Sequence, residues 1–209
     1  MNWQENPFYI LQISMATTKS AINDKTDDLC FDNPDNEDLY EKARGILSNP
    51  QKRIGAELRW FPGLTKTAED NLLKVMQRQQ PLSGKYDNKL VRMNVAIYNL
   101  TYQKNAQLVN SLLEIDDLYT NISLDNIRIW INEVRKKAKI TLIQNNDVLR
   151  TDWNEVRHDI SVTMQSVVKS MRRESYVGLA NEIANKLFGH KDFGVIIENF
   201  FAAYVLDMN

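Results

Sequence analysis

Apolar residues recur along this chain at three- and four-residue intervals almost throughout, a pattern that predicts helices in series. Leu90, Met93, Ile97 and Leu100 make one stripe, and Leu108, Leu112, Ile115 and Tyr119 the next. Ile127, Ile131, Val134 and Ala138 share one face of a long helix for which Ser123 is the expected cap. Thr67 with Asp70 has the form of a capping box ahead of Leu72, Leu73, Val75 and Met76. Asp152 with Glu155 repeats that form ahead of Trp153, Val156, Ile160, Met164, Val167 and Met171. Tyr176, Leu179, Ile183 and Leu187, then Phe193, Ile196, Ile197, Phe200 and Tyr204, mark the last two helices. Ile140 to Ile143 and Ile160 to Val168 are β-branched and have strand character, but the stripes continue through them, so they read as helical. Of seven Gly and five Pro, only Gly84 and Pro81 fall between Leu64 and Tyr176, where they mark a loop. Such short connections favour antiparallel neighbours and hence a bundle.

The first sixty residues carry shorter periods and denser punctuation. Pro7 suits a helix start, with Phe8, Ile10, Leu11 and Ile13 as apolar anchors. Thr17 or Thr18 can cap a helix carrying Ala21, Ile22, Leu29 and Cys30. Asn33-Pro34-Asp35 is a turn signal, because the residue before proline is pushed away from helical angles. Leu39, Tyr40, Ala43, Ile46 and Leu47 resume the helical spacing, and Asn49-Pro50 reads as N-cap and first helical residue. Ile54, Leu58, Trp60 and Phe61 complete an apolar cluster that Pro62-Gly63 ends. The fold class expected is all-α: a short helical unit over residues 1–63, then a multi-helix bundle over residues 64–209. Leu64 to Thr67 leaves little linker, so the two are expected to pack closely.

Residues 6–62 resemble the J-domain, the co-chaperone module of the DnaJ family. The resemblance rests on Asn6-Pro7-Phe8-Tyr9-Ile10-Leu11-Gln12-Ile13-Ser14 at the opening and on Ala43 to Arg53, which follows the family's A-x-x-x-L-S-D-P-x-x-R stretch. Asn33-Pro34-Asp35 stands where the family carries His-Pro-Asp, the loop that makes its heat-shock partner hydrolyse ATP. Asparagine cannot carry the positive charge of a protonated histidine. The second helix departs as well: Asn23, Asp24, Asp27 and Asp28, with Lys25 the only base nearby, replace a basic face that the family presents to an acidic partner. The segment from Asp35 to Leu47 is also shorter than in the family. The resemblance therefore implies a J-like fold with a degenerate docking surface at Asp24, Asp27, Asp28, Asn33, Pro34 and Asp35, and a protein partner, either a heat-shock chaperone or a client.

Composition narrows the remaining classes. The formal net charge is −1, so no global field draws the chain to nucleic acid or to an anionic membrane. The balance is uneven: seven bases against ten acids up to Gly63, and nineteen against seventeen beyond it. One cysteine, Cys30, allows no disulfide within the chain and suits a reducing compartment. No stretch approaches the roughly 18 consecutive apolar residues of a spanning helix, and no basic start followed by an apolar run marks a signal peptide. A cytoplasmic location is the expectation.

Chemistry is sparse. His158 and His190 lack partners at metal-ligand spacing, and the acidic run Asp32 to Asp38 lacks the glycine and terminal glutamate of a calcium loop. No phosphate-binding loop or nucleophile elbow occurs. Glu155, Arg157, His158 and Asp159 beside Trp153 read as a solvated helix face. Arg135, Lys136, Lys137 and Lys139 form the densest basic patch, which Arg172 and Arg173 would extend toward a phosphate; the aromatics sit on apolar stripes rather than beside it, which argues against stacking on bases. The expectation is a non-enzymatic interaction protein, co-chaperone-like or scaffold, with no cofactor and no metal. The alternatives are an active co-chaperone with an altered docking surface, or a nucleic-acid-associated helical protein using the basic patch.

Overall fold

The computed structural model describes residues 2–103, 106–169 and 173–187. Among them the chain is all-α, without a strand. Asn6 sets the first helix, α1 (Pro7–Ile10): its side-chain oxygen accepts the Phe8 N–H at 3.0 Å. Its amide nitrogen donates to the carbonyls of Ala56 and Arg59, both at 3.1 Å, so one asparagine caps the opening turn and ties it to a segment fifty residues on. Thr18, not Thr17, caps α2 (Lys19–Asp32). A 3-10 turn, Pro34–Asn36, reverses the chain into α3 (Glu37–Ser48), which packs on α2 and on α1.

Asn49 accepts the N–H groups of Gln51 and Lys52, but regular helix begins only at α4 (Arg53–Leu58), one turn later than the Asn-Pro signal suggests. Then come α5 (Lys66–Gln77), α6 (Lys89–Asn99), α7 (Ala106–Asn121), α8 (Leu124–Ala138), α9 (Asp147–Lys169) and α10 (Arg173–Leu187). Among the described helices α4 packs on α9, α6 on α7, α7 on α10 and α8 on α9. Ser123 caps α8 as expected, accepting the Asn126 N–H at 3.2 Å. The stripes of α6, α7 and α8 are buried, except that Tyr119 at the end of the α7 stripe is half-buried.

Three local expectations are corrected. Thr65, not Thr67, caps α5, accepting the Ala68 N–H at 3.3 Å. Asp152 and Glu155 lie inside α9, whose first N–H groups, of Asp147 and Val148, are taken by Asn145. Ile140 to Ile143 are not helical: α8 ends at Lys139 in a left-handed conformation, and the side chain of Asn132 brackets the backbone of Ile143. It donates to the Ile143 carbonyl at 2.9 Å and accepts the Ile143 N–H at 2.8 Å, supplying what a further helical turn would have supplied. Ile160 to Val168 are helical. Met171, Arg172, His190 and the stripe from Phe193 to Tyr204 lie outside the described residues.

One apolar core crosses residues 63 and 64: Phe8, Leu47, Leu58 and Trp60 from the first unit belong to the same buried cluster as Met93, Ile131, Leu149 and Val156. Trp60 stacks on Phe8 with ring centroids 5.8 Å apart, and Phe61 stacks on Trp3 at the same distance. Among the described residues no helix is long and apolar enough to cross a membrane.

Candidate partner-docking site

The sites named from sequence separate into a surface that stays exposed and a patch that does not stay whole. On α2, Ile22, Thr26 and Leu29 face inward at i, i+4 and i+7. Asp24, Asp27, Asp28 and Phe31, at i, i+3, i+4 and i+7, line the opposite, exposed face. Arg44 on α3 reaches across to Asp27 at 3.5 Å and also pairs with Glu41. The hairpin tip is bare: every residue from Phe31 to Leu39 is exposed, Phe31 at 88% and Leu39 at 45%. Leu39 thus leaves the apolar stripe predicted for α3, of which Ala43 and Leu47 are the buried members.

Within that tip, Asn33 closes α2 by donating its N–H to the Leu29 carbonyl at 2.9 Å, and its own carbonyl accepts the Asn36 N–H at 3.2 Å. Pro34 opens the 3-10 turn. Glu37 and Asp38 fill the first turn of α3, where carboxylates complement the helix dipole. Asp24, Asp27, Asp28, Asn33, Pro34 and Asp35 are thus all exposed on one hairpin. Cys30 is half-buried on it; desolvation, then Glu41, Glu37 and Asp27, push its thiol above its ordinary value, which opposes thiolate chemistry.

The basic patch loses its first member. Lys136, Lys137 and Lys139 are exposed, but Arg135 is buried, 1% exposed, because position 135 shares the inward face with Ile131 and Ala138. Its Nη2 and Nε hold the Glu57 carboxylate at 2.7 and 2.9 Å, and Nη1 and Nη2 also donate to the carbonyls of Thr141 and Pro50. Glu57 also takes Arg53 Nε at 2.7 Å, and Arg53 caps the carbonyls of Leu47 and Met15. Burial pushes the Arg53 guanidinium below its ordinary value while Glu57 supports it. This triad joins α4 to α8.

A second buried acid also escaped the sequence reading. Glu69 is 2% exposed. Its carboxylate accepts the Ser14 hydroxyl, the Met15 N–H at 3.2 Å and the Trp60 indole N–H at 3.1 Å. Burial pushes its carboxyl up to about 7 against the pull of those three donors. The available signal was position: Glu69 lies in register with Leu72, Leu73 and Met76, as Arg135 does with Ile131 and Ala138, and an ionisable residue on an apolar stripe must be paired or neutral.

The polar group near Trp153 has a structural role. Asp159 binds Arg59 at 2.6 Å and Glu155 lies 3.8 Å from it, fastening α9 to α4. The Arg59–Asp159 pair lines a cleft of about 310 Å³ with Trp3 and Lys52, so its two opposite charges already satisfy each other. Among the described residues no group of three His, Cys, Asp or Glu side chains is placed to hold a metal ion. No protein-family model, curated protein or solved structure matches this chain.

Proposed function

We propose that this chain is a non-enzymatic protein-interaction protein, co-chaperone-like or a scaffold, whose J-like first unit docks a protein partner through the α2–α3 hairpin. The observation that carries the reading is the bare tip from Phe31 to Leu39, with a phenylalanine 88% exposed. On the last turn of α2 and facing outward, it contributes nothing to the core. Large aromatic side chains are among those that anchor protein interfaces. The resemblance to the J-domain supplies the class of partner, and Asn33 in place of histidine with an acidic α2 argues against the usual trigger. The reading places the chain in the cytoplasm, where Cys30 stays a thiol.

The test is steady-state ATP hydrolysis by the heat-shock ATPase of the source organism, titrated with this protein to micromolar concentrations. A flat response is expected. A clear rate increase would replace the reading with that of an active co-chaperone whose docking surface differs from its family's.

A further inference from the structure

We infer that the partner of the hairpin is a basic amphipathic helix, laid along the outer face of α2 with an aliphatic side chain seated on Phe31. The inference rests on the docking reading above and gives the partner its chemistry. The outer face of α2 is a straight stripe, Asp24, Asp27, Asp28 and Phe31, at the spacing by which one helix meets another. The apolar contact, Phe31, lies at one end of the stripe, and Leu39 on the first turn of α3 is a second exposed apolar side chain of the same hairpin. Asp32, Asp35, Glu37 and Asp38, all exposed, follow that end along the chain, while Lys25 lies within the span of the stripe and Arg44 pairs with Asp27.

Burying Phe31 under a neutral or acidic partner would strip water from these carboxylates without compensation. Lysines or arginines flanking an aliphatic seam would compensate them, and their sign excludes nucleic acid and anionic lipid as occupants. Asp27 already faces Arg44 at 3.5 Å, so Asp24 and Asp28 offer the freer charges.

Three synthetic helical peptides of about 20 residues, long enough to hold helix, separate the terms: a Lys/Leu amphipath, a Lys/Ser peptide of equal charge, and a Glu/Leu peptide with the same seam. Each is titrated into the isotopically labelled full chain at low and high salt, and amide shifts are followed. The Lys/Leu peptide is expected to move residues 24–39. Its affinity is expected to fall about tenfold or more with Phe31→Ala, as for an interface anchor. With Asp24→Asn and Asp28→Asn together it is expected to weaken and to lose part of its salt dependence, the other acids of the hairpin keeping the rest. The Lys/Ser peptide is expected to bind more weakly than the Lys/Leu peptide. Phe31 is a surface residue, so an unchanged melting temperature confirms that its variant is folded.

Equal binding by Lys/Ser and Lys/Leu, or indifference to Phe31→Ala, overturns the seated aliphatic contact. Binding of the Glu/Leu peptide at residues 24–39 leaves the hairpin a docking site but refutes the basic partner. Shifts from all three peptides confined to other residues refute the hairpin as the docking site as well.

Discussion

Replacing Glu57 by glutamine removes one negative charge from the interior and leaves two guanidinium groups there. Arg53 and Glu57 have no exposed side-chain surface and Arg135 has 2%. The carboxylate holds Arg53 Nε at 2.7 Å and Arg135 Nε and Nη2 at 2.9 and 2.7 Å, and four carbonyls take other N–H groups of the two arginines. A neutral amide offers one acceptor oxygen in place of two and puts two further donors beside groups that only donate. Breaking a buried ion pair on one side costs roughly 3–5 kcal/mol, because the surviving charge stays desolvated. For a chain of this size that corresponds to a fall in melting temperature on the order of 10 °C. Urea unfolding followed by tryptophan fluorescence is the assay, with the wild-type slope expected to be retained. Adding Arg135→Met to Glu57→Gln should recover part of the loss, since the second substitution removes one of the orphaned charges. A loss below about 1 kcal/mol, the range of an exposed pair, would refute the claim that the triad is dry.

Glu69 gives a pH dependence of defined sign. Its folded value lies above the ordinary 4.5, at about 7, so its contribution to stability is fully present below 4.5 and is lost as pH rises through 7. The span corresponds to about 3 kcal/mol. The stability of wild type relative to Glu69→Gln should therefore fall between pH 4.5 and 7 and level off above, and a flat difference would show that the carboxyl titrates normally. A fragment ending at Gly63 leaves Glu57 without Arg135 and Trp60 without Glu69; it is expected to show no cooperative transition by circular dichroism. Lys139 ends α8 at φ +56°, where a side chain is strained, so Lys139→Gly should stabilise the chain by about 0.5–1 kcal/mol in the same urea assay.

The all-α character and most helix faces were legible because a helix must bury one stripe of its surface, and the spacing of Leu90, Met93 and Ile97 or of Ile127, Ile131 and Val134 specifies which. Caps were legible where the capping residue has no rival, as at Ser123. They were displaced by two residues at Thr65, where a neighbouring threonine offered the same chemistry, and by seven at the start of α9, where Asn145 rather than Asp152 supplies the cap. The acidic face of α2 and the Asn33 turn were legible as residues, but their joint exposure on one hairpin was not, nor was Phe31 as its apolar end.

The sequence alone determined most of the helices, the acids on α2 and the turn at Asn33-Pro34, because these depend on local periodicity and residue identity. Only the tertiary structure decided that Arg135 belongs to Glu57 and not to a basic patch, and that Glu69 serves Ser14 and Trp60. Only there did Ile140 to Ile143 give up their helix to Asn132, and only there was Phe31 left 88% exposed. Each of those outcomes depends on a partner distant in the chain, or on its absence, and periodicity along one helix carries no information about which distant side chain will meet it.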